Sequence, residues 1–364
     1  MNKPKSKFSL GKINVVKNTE TTTGHVALLS VLSFVAALVI GGIFLLCIGQ
    51  NPFEIYATII RGAFRTKVAI ADTITLTIPL LVASLGVLFA FKMKFWNIGA
   101  EGQIIMGAIF AAYVGIFHGD LPHIPLLFLM MVAGMIGGAL WAFLPALCRC
   151  KFRTNETLFT LMLNYIALYV IKYLAEGPWK DPGARGFPKI ATLSVNAQLD
   201  KVLGVHFGWV IAILLVVFAF VYLRYTKRGY EIAVVGESEN TARYAGMNVN
   251  RIVITTMLLS GAVCGLGGAI HLSGEVKTLS EGIAGGIGFT AIIVSWLSRL
   301  NPYVCVIVSF LFSILEKGCG VVESTYRISA AVSDVLQGII LFSVLAFDFF
   351  INYKVVFRKG GAQK

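Results

Sequence analysis

The stretch from Thr73 to Phe91 reads TITLTIPLLVASLGVLFAF, 19 consecutive residues without a charge. A helix of that length rises about 28 Å, close to the ~30 Å hydrocarbon core of a bilayer. The run is continuously apolar rather than alternating, which disfavours a β-barrel. The same reading repeats along the chain. Further uncharged runs lie at 26–49, 102–119, 121–148, 202–223, 252–274, 282–298 and 300–315. Two more are interrupted: 157–171 is followed by Lys172, and 328–347 contains Asp334. Ten candidate spans result, of which the pair 282–298 and 300–315 is short enough to include a re-entrant segment.

Composition agrees. The chain is 57% hydrophobic and 13% charged, with a mean hydropathy of +0.80. A soluble fold cannot cover that much apolar surface with so few charges, and disorder is excluded by the same balance. Thirty-seven glycines against 10 prolines fit helices packed closely in lipid. Gly134/Gly138 and Gly261/Gly265 form G-x-x-x-G pairs, read as packing faces. The six cysteines mostly lie within apolar runs and suggest no disulfide framework. Neither Cys148-Arg149-Cys150 nor His118 and His123 around Asp120 has the spacing of a metal site, so none is expected.

Ten spans put both termini on one side. With the termini inside, Lys and Arg favour the inner segments by about two to one, so both ends are expected in the cytoplasm. The net charge of +13 then follows from topology and requires no nucleic acid. The basic tail 1–25 is expected to meet anionic lipid. The first apolar run does not read as a cleaved signal, because 25 residues precede it and no small-x-small site follows cleanly. The expected fold is an all-α polytopic transmembrane bundle. One domain covers 26–351, between cytoplasmic tails 1–25 and 352–364. Spans two to five begin outside and spans seven to ten inside, the arrangement of two inverted pseudo-repeats. Gly286-Ile287-Gly288 loosely echoes Asn97-Ile98-Gly99.

Three connecting segments carry signals. Asn51-Pro52-Phe53-Glu54 has the form of a capping box, predicting an amphipathic surface helix over 52–64. The external loop 176–206 is rich in turn residues. The cytoplasmic loop 224–251 contains Glu237, Ser238, Ala242, Arg243, Tyr244, Ala245 and Gly246. Ser238 is a good N-cap and Gly246 a left-handed stop, which predicts about two helical turns. So short a helix must pack on its own spans or on a partner. The small residues Ala242, Ala245 and Gly246 would allow close approach.

Within the spans, Asn97-Ile98-Gly99-Ala100-Glu101-Gly102-Gln103 packs an acid and two amides into one helix entrance. It reads either as lining for a polar path, as a lock between helices, or as a cap with Asn97 at N-cap. Asp334 is the one reasonable midplane acid, so ion coupling has little support. No G-x-x-x-x-G-K-[ST] occurs, so the chain is not expected to hydrolyse ATP itself. No set of residues suggests an enzyme.

These residues are similar to those of permease subunits of ABC importers in the branched-chain amino acid, simple sugar and nucleoside uptake family. Phe95 to Gln103 resembles the Asn-Ile-Gly-x-Glu-Gly-Gln pattern of the nucleoside-type branch. Gly236 to Gly246 resembles the coupling segment, and Gly288-Phe289-Thr290-Ala291-Ile292 with Arg299-Leu300-Asn301-Pro302 resembles the late-span pattern. The resemblance runs from about residue 26 to the last span. It implies a multi-pass protein of a prokaryotic plasma membrane and a second, non-identical permease subunit. It also implies an ATP-binding cassette subunit carrying ATP and Mg, and an extracytoplasmic substrate-binding protein. The helix near 238–245 would couple to the ATPase, and Asn97, Glu101, Gln103, Phe289 and Thr290 are pathway candidates. Nucleosides are the expected substrate, with riboflavin or a simple sugar as the alternative and an ion-coupled carrier as the competing class.

Overall fold

The computed structural model describes residues 13–17, 23–184, 186 and 188–357. Each of the ten apolar runs holds a helix, and three further helices connect them. In chain order they are α1 (Thr23–Cys47), α2 (Pro52–Phe64), α3 (Lys67–Lys92), α4 (Ala100–Phe117), α5 (His123–Phe152), α6 (Glu156–Glu176), α7 (Gly208–Tyr225), α8 (Lys227–Glu237), α9 (Glu239–Tyr244), α10 (Val249–His271), α11 (Ile287–Leu297), α12 (Pro302–Tyr326) and α13 (Ala330–Asn352). Among the described residues, seven helices are long and apolar enough to cross a bilayer, or eight if the pair Val35–Cys47 and Pro52–Phe64, bent by 116°, is one span. α11 is the clear departure from a full span. Its 11 residues rise only about 16 Å, half a hydrocarbon core.

The chain divides into two compact units, residues 1–58 with 319–364 and residues 59–318. In the first, α1 packs with α13. The strands β1 (Ile13–Lys17) and β4 (Tyr353–Phe357) pair antiparallel, with Ile13 opposite Phe357. Both segments were expected as plain tails, and α1 begins at Thr23 rather than at 26. The capping box at 51–54 forms differently from its ideal. Asn51 Oδ1 accepts from the Phe53 amide at 3.1 Å, but Glu54 Oε1 accepts from the Asn51 side-chain amide at 3.1 Å rather than from its backbone. Ile55 is fully buried while Phe53 is exposed, so the apolar residues of 52–64 do not share one face.

The second unit is built on α10, which packs against α3, α4 and α5. The two G-x-x-x-G pairs face each other. A Cβ at Gly138 would overlap the Gly261 carbonyl, and one at Gly265 would overlap the Gly134 carbonyl. Gly107 of α4 lies against the Gly265 backbone in the same way. With no side chain between them, the helix backbones approach to contact, the packing available where lipid supplies no hydrophobic drive.

At the end of this unit opposite α9, the loop after α6 closes with a hairpin of β2 (Lys201–Val202) and β3 (Val205–His206). Leu203 and Gly204 both have positive φ, 58° and 87°, as a two-residue turn of the primed type requires. The loop is tied to α5 through His123, whose Nδ1 meets the Asn196 carbonyl at 2.9 Å and whose Nε2 meets Asp200 Oδ2 at 3.0 Å. His206 is buried, and its Nδ1 accepts from the Gly208 amide at 3.3 Å. Burial pushes the imidazole down to about 4. Glu275 opposes the shift, and His271 and Lys201 add to it.

Two outcomes follow. Gly265→Leu should abolish recovery of monodisperse protein by size exclusion in detergent, whereas Gly320→Leu, where an added Cβ meets nothing within 4 Å, should not. The unfolded chain protonates His206 near 6.5 and the folded one only near 4. The folded state is therefore favoured above that window and loses up to about 3 kcal/mol as pH falls through it. Thermal melts between pH 7 and pH 4 should show this loss, and His206→Asn, which keeps the acceptor, should flatten the slope.

Candidate functional site

The polar segment 95–103 forms a knot that four helices share, α4, α6, α10 and α11. After α3 ends, residues 93–99 run without regular structure before α4 begins. Helix hydrogen bonding cannot serve this backbone, and buried groups left unpaired are costly. α6 supplies the partners. Thr160 Oγ1 accepts from the Ile98 amide at 3.1 Å. Asn164 accepts from the Gly102 amide at 2.9 Å and donates to the Ile98 carbonyl at 2.8 Å. Asn97 and Gln103 exchange side-chain amide bonds at 3.2 and 3.3 Å, and both are fully buried. Asn97 also reaches Ser260, near the middle of α10, at 3.5 Å. Asn97 is not the N-cap of α4. That position is Gly99, and Asn97 Oδ1 accepts from the Gly99 amide at 3.0 Å.

Glu101 faces the other way, toward α11. Its Oε1 accepts from the Gly286 amide at 2.9 Å and its Oε2 from the Gly288 amide at 2.7 Å. The carboxylate thereby occupies the N-terminus of the half-length helix, where the backbone dipole favours negative charge. Gly286 has φ 86°, and a Cβ on Gly288 would overlap the Glu101 backbone. The segment Gly286-Ile287-Gly288 therefore lies against Ala100 and Glu101, which directly follow the segment it echoes. Leu279, Ile283 and Ala284, which lead into α11, are buried in the α4–α10 core. Residues 277–297 thus enter the bundle as irregular chain and leave it as helix. α11 is fastened to α3 by Ser295, which donates to the Ser84 carbonyl at 2.7 Å. Trp296 closes its end in a cluster with Phe91 and Trp96.

The five pathway candidates therefore separate. Asn97 and Gln103 are closed off by each other, and Glu101 is consumed by two amides. Phe289 is exposed and Thr290 half-buried. Asn164, Thr160 and Ser260 belong to the knot and were not singled out from sequence, since they stand some 60 to 160 residues away.

The segment 224–251 forms two helices rather than one. Thr226 caps α8, accepting from the Gly229 amide at 3.1 Å. α8 buries Ile232 and Val235, a contribution the Ser238 signal alone did not reveal. Ser238 caps α9 by accepting from the Thr241 amide at 3.2 Å, and Gly246 turns the chain at φ 75°. Ala242 differs from the expectation of a partner-facing small residue. It is fully buried in a cluster with Phe95, Ala142, Ala146 and Val249, so it seats α9 on its own bundle. Glu237, Arg243, Ala245 and Gly246 are exposed, and Tyr244 is 93% exposed.

A multi-pass bundle with a half-length helix packed inside it, and a capped short helix exposed at one end, fits the permease subunit of an ABC importer. The chain belongs to the branched-chain amino acid transport system permease component family, whose family model matches residues 69–345. A glucose ABC transporter permease protein of Haloferax volcanii is 31% identical, over 89% of this chain and 88% of its own. A guanosine ABC transporter permease protein of Bacillus subtilis is 27% identical, over 93% and 97%. A nucleoside ABC transporter permease protein of Lactococcus lactis is 28% identical, over 80% and 83%. Such subunits are transport components of the membrane rather than enzymes.

Glu101→Gln can accept only one of the two amides and sets an N–H donor against the other. It should destabilise the protein by about 1–3 kcal/mol, the cost of orphaning a buried donor. Thermal melts of the detergent-solubilised protein measure this, and an unchanged melting temperature would remove Glu101 from the lock.

Proposed function

We propose that the chain forms half of the translocation pathway of an ATP-driven nucleoside importer. In this reading it has about ten crossings built as inverted pseudo-repeats, with a bundle domain over 26–351 and both termini in the cytoplasm. α9 is the coupling helix, with Glu237, Ser238, Arg243, Tyr244, Ala245 and Gly246 facing the ATPase and Ala242 anchoring it from behind. The observation that carries the coupling role is Tyr244. A six-residue helix, capped at both ends, holds a large aromatic ring almost wholly in solvent. Exposed aromatic side chains on rigid supports are the anchors that partner surfaces use.

The partners are a separate ATP-binding cassette subunit that holds ATP and Mg, a second permease subunit, and an extracytoplasmic binding protein. ATP-driven movement of α9 would rock the spans between outward and inward states. The permease itself makes and breaks no covalent bond. Phe289 and Thr290 are the pathway residues we favour. The exposed ring offers a flat face to a nucleobase and the hydroxyl a hydrogen bond to ribose. Asn97, Glu101 and Gln103 act in the pathway by shaping it.

The nucleoside reading is supported by two relatives named for guanosine and nucleosides, and by the 97–103 pattern. A simple sugar is the second reading, favoured by the 31% identity to the glucose permease. Vesicles holding the permease with its neighbouring ATPase and binding protein should take up labelled guanosine when ATP is supplied. Uptake of glucose or riboflavin instead would keep the architecture and replace the substrate, while gradient-driven uptake without ATP would overturn the importer reading. Tyr244→Ala combined with Glu237→Lys should leave membrane insertion intact. It should weaken ATPase co-purification roughly 10- to 30-fold, the effect of losing an anchor worth about 1.4–2 kcal/mol.

A further inference from the structure

Arg149, in the last turn of α5, touches three elements at once. Its Nη1 donates to Glu156 Oε1 at 3.1 Å, at the start of α6. Its Nη2 donates to Glu239 Oε1 at 2.8 Å, at the start of α9. Its guanidinium carbon lies 4.9 Å from the ring centre of Phe95. Phe95 is fully buried and lies two residues before Asn97, in the irregular segment that leads into α4, whose Glu101 holds the first amides of α11. One side chain therefore joins α9 to the segment that anchors the half-helix inside the bundle.

The two arms of this fork are unequal. The Glu156 carboxylate is sheltered, with 18% of its side chain exposed, whereas Glu239 has 43% exposed. Both bonds border a polar cavity of about 540 Å³, lined by Arg149, Arg153, Thr154, Glu156, Glu239 and Arg243 among others. α9 thus has open space beside its bond to Arg149, and Glu239 is the less sheltered of the two carboxylates. That is the asymmetry a transmitting contact needs: one sheltered end and one end freer to yield. The residue type matters too. A planar guanidinium can serve two carboxylates from adjacent nitrogens while stacking its face on an aromatic ring, and an ammonium cannot.

We propose that Arg149 is a positioning residue for transport, carrying displacement of α9 through Phe95 and the 97–103 knot to α11. The inference rests on the reading of α9 as the helix that contacts the ATPase. Its signature is a loss of coupling rather than of assembly.

The test uses the complete complex of permeases, ATPase and binding protein in liposomes, and reads substrate taken up per ATP hydrolysed. Arg149→Ala should lower that ratio roughly tenfold, within the 5- to 150-fold range typical of coupling energies, with ATPase co-purification unchanged. Arg149→Lys should not restore it. Glu239→Ala should lower it in the same direction, and adding Glu239→Ala to Arg149→Ala should cause no further loss, because both break one contact. Arg153→Gln, in the same cavity, should leave the ratio at the wild-type value. An assembled Arg149→Ala complex that transports at the wild-type ratio overturns the inference. If Arg149→Ala does not assemble, Glu239→Ala decides, since it removes the Arg149–Glu239 bond and leaves the Arg149–Glu156 bond intact; an unchanged ratio there overturns it equally. Absence of ATP-dependent uptake by the wild-type complex would instead overturn the importer reading itself.

Discussion

Backbone-to-backbone contact among α4, α5 and α10 is the constraint on which the rest depends. Gly107, Gly138, Gly261 and Gly265 leave no side chain between these helices. In lipid the apolar side chains gain little by leaving their surroundings, so close contact and paired polar groups must hold the bundle. The crossing also fixes α10, and α10 carries Ser260 to the level of Asn97. The position of the polar knot is therefore set by the glycine packing.

The knot solves a second problem. A chain that stops being helical inside a bundle leaves buried amides and carbonyls without their helical partners. Here Thr160 and Asn164 serve the stretch before α4, and Glu101 serves the start of α11. Discontinuous helices of this kind are places where transport proteins allow movement without unfolding a span. Polar bonds hold the half-helix through one carboxylate and one serine hydroxyl, and apolar packing through Ala291, Val294 and Trp296 does the rest.

Much of the helix layout was legible in the sequence, because an apolar run of span length has few alternatives. The Ser238 cap, the Gly246 stop and the two glycine faces were also legible, since each depends on neighbours a few residues away. The half-length of α11 was not. Residues 282–298 are apolar throughout, and apolarity reads the same whether a residue is in a helix or in buried irregular chain. Gly285 and Gly286, both with positive φ, mark the break. The inward face of Ala242 was hidden because a small residue suits either a partner or a tight core. Arg149 was passed over because Glu239 lies 90 residues away. The unusual polarity of 97–103 was legible, but its partners on α6 and α11 were not, so a path and a lock looked alike.

The central claim is that α9 receives the ATPase while α11 stands within the pathway. A cryo-EM structure of the full assembly, trapped with a non-hydrolysable nucleotide, tests it most directly. The account predicts Tyr244 and Arg243 buried in a groove of the ATPase subunit. An ATPase bound elsewhere, with Tyr244 still in solvent, would contradict it.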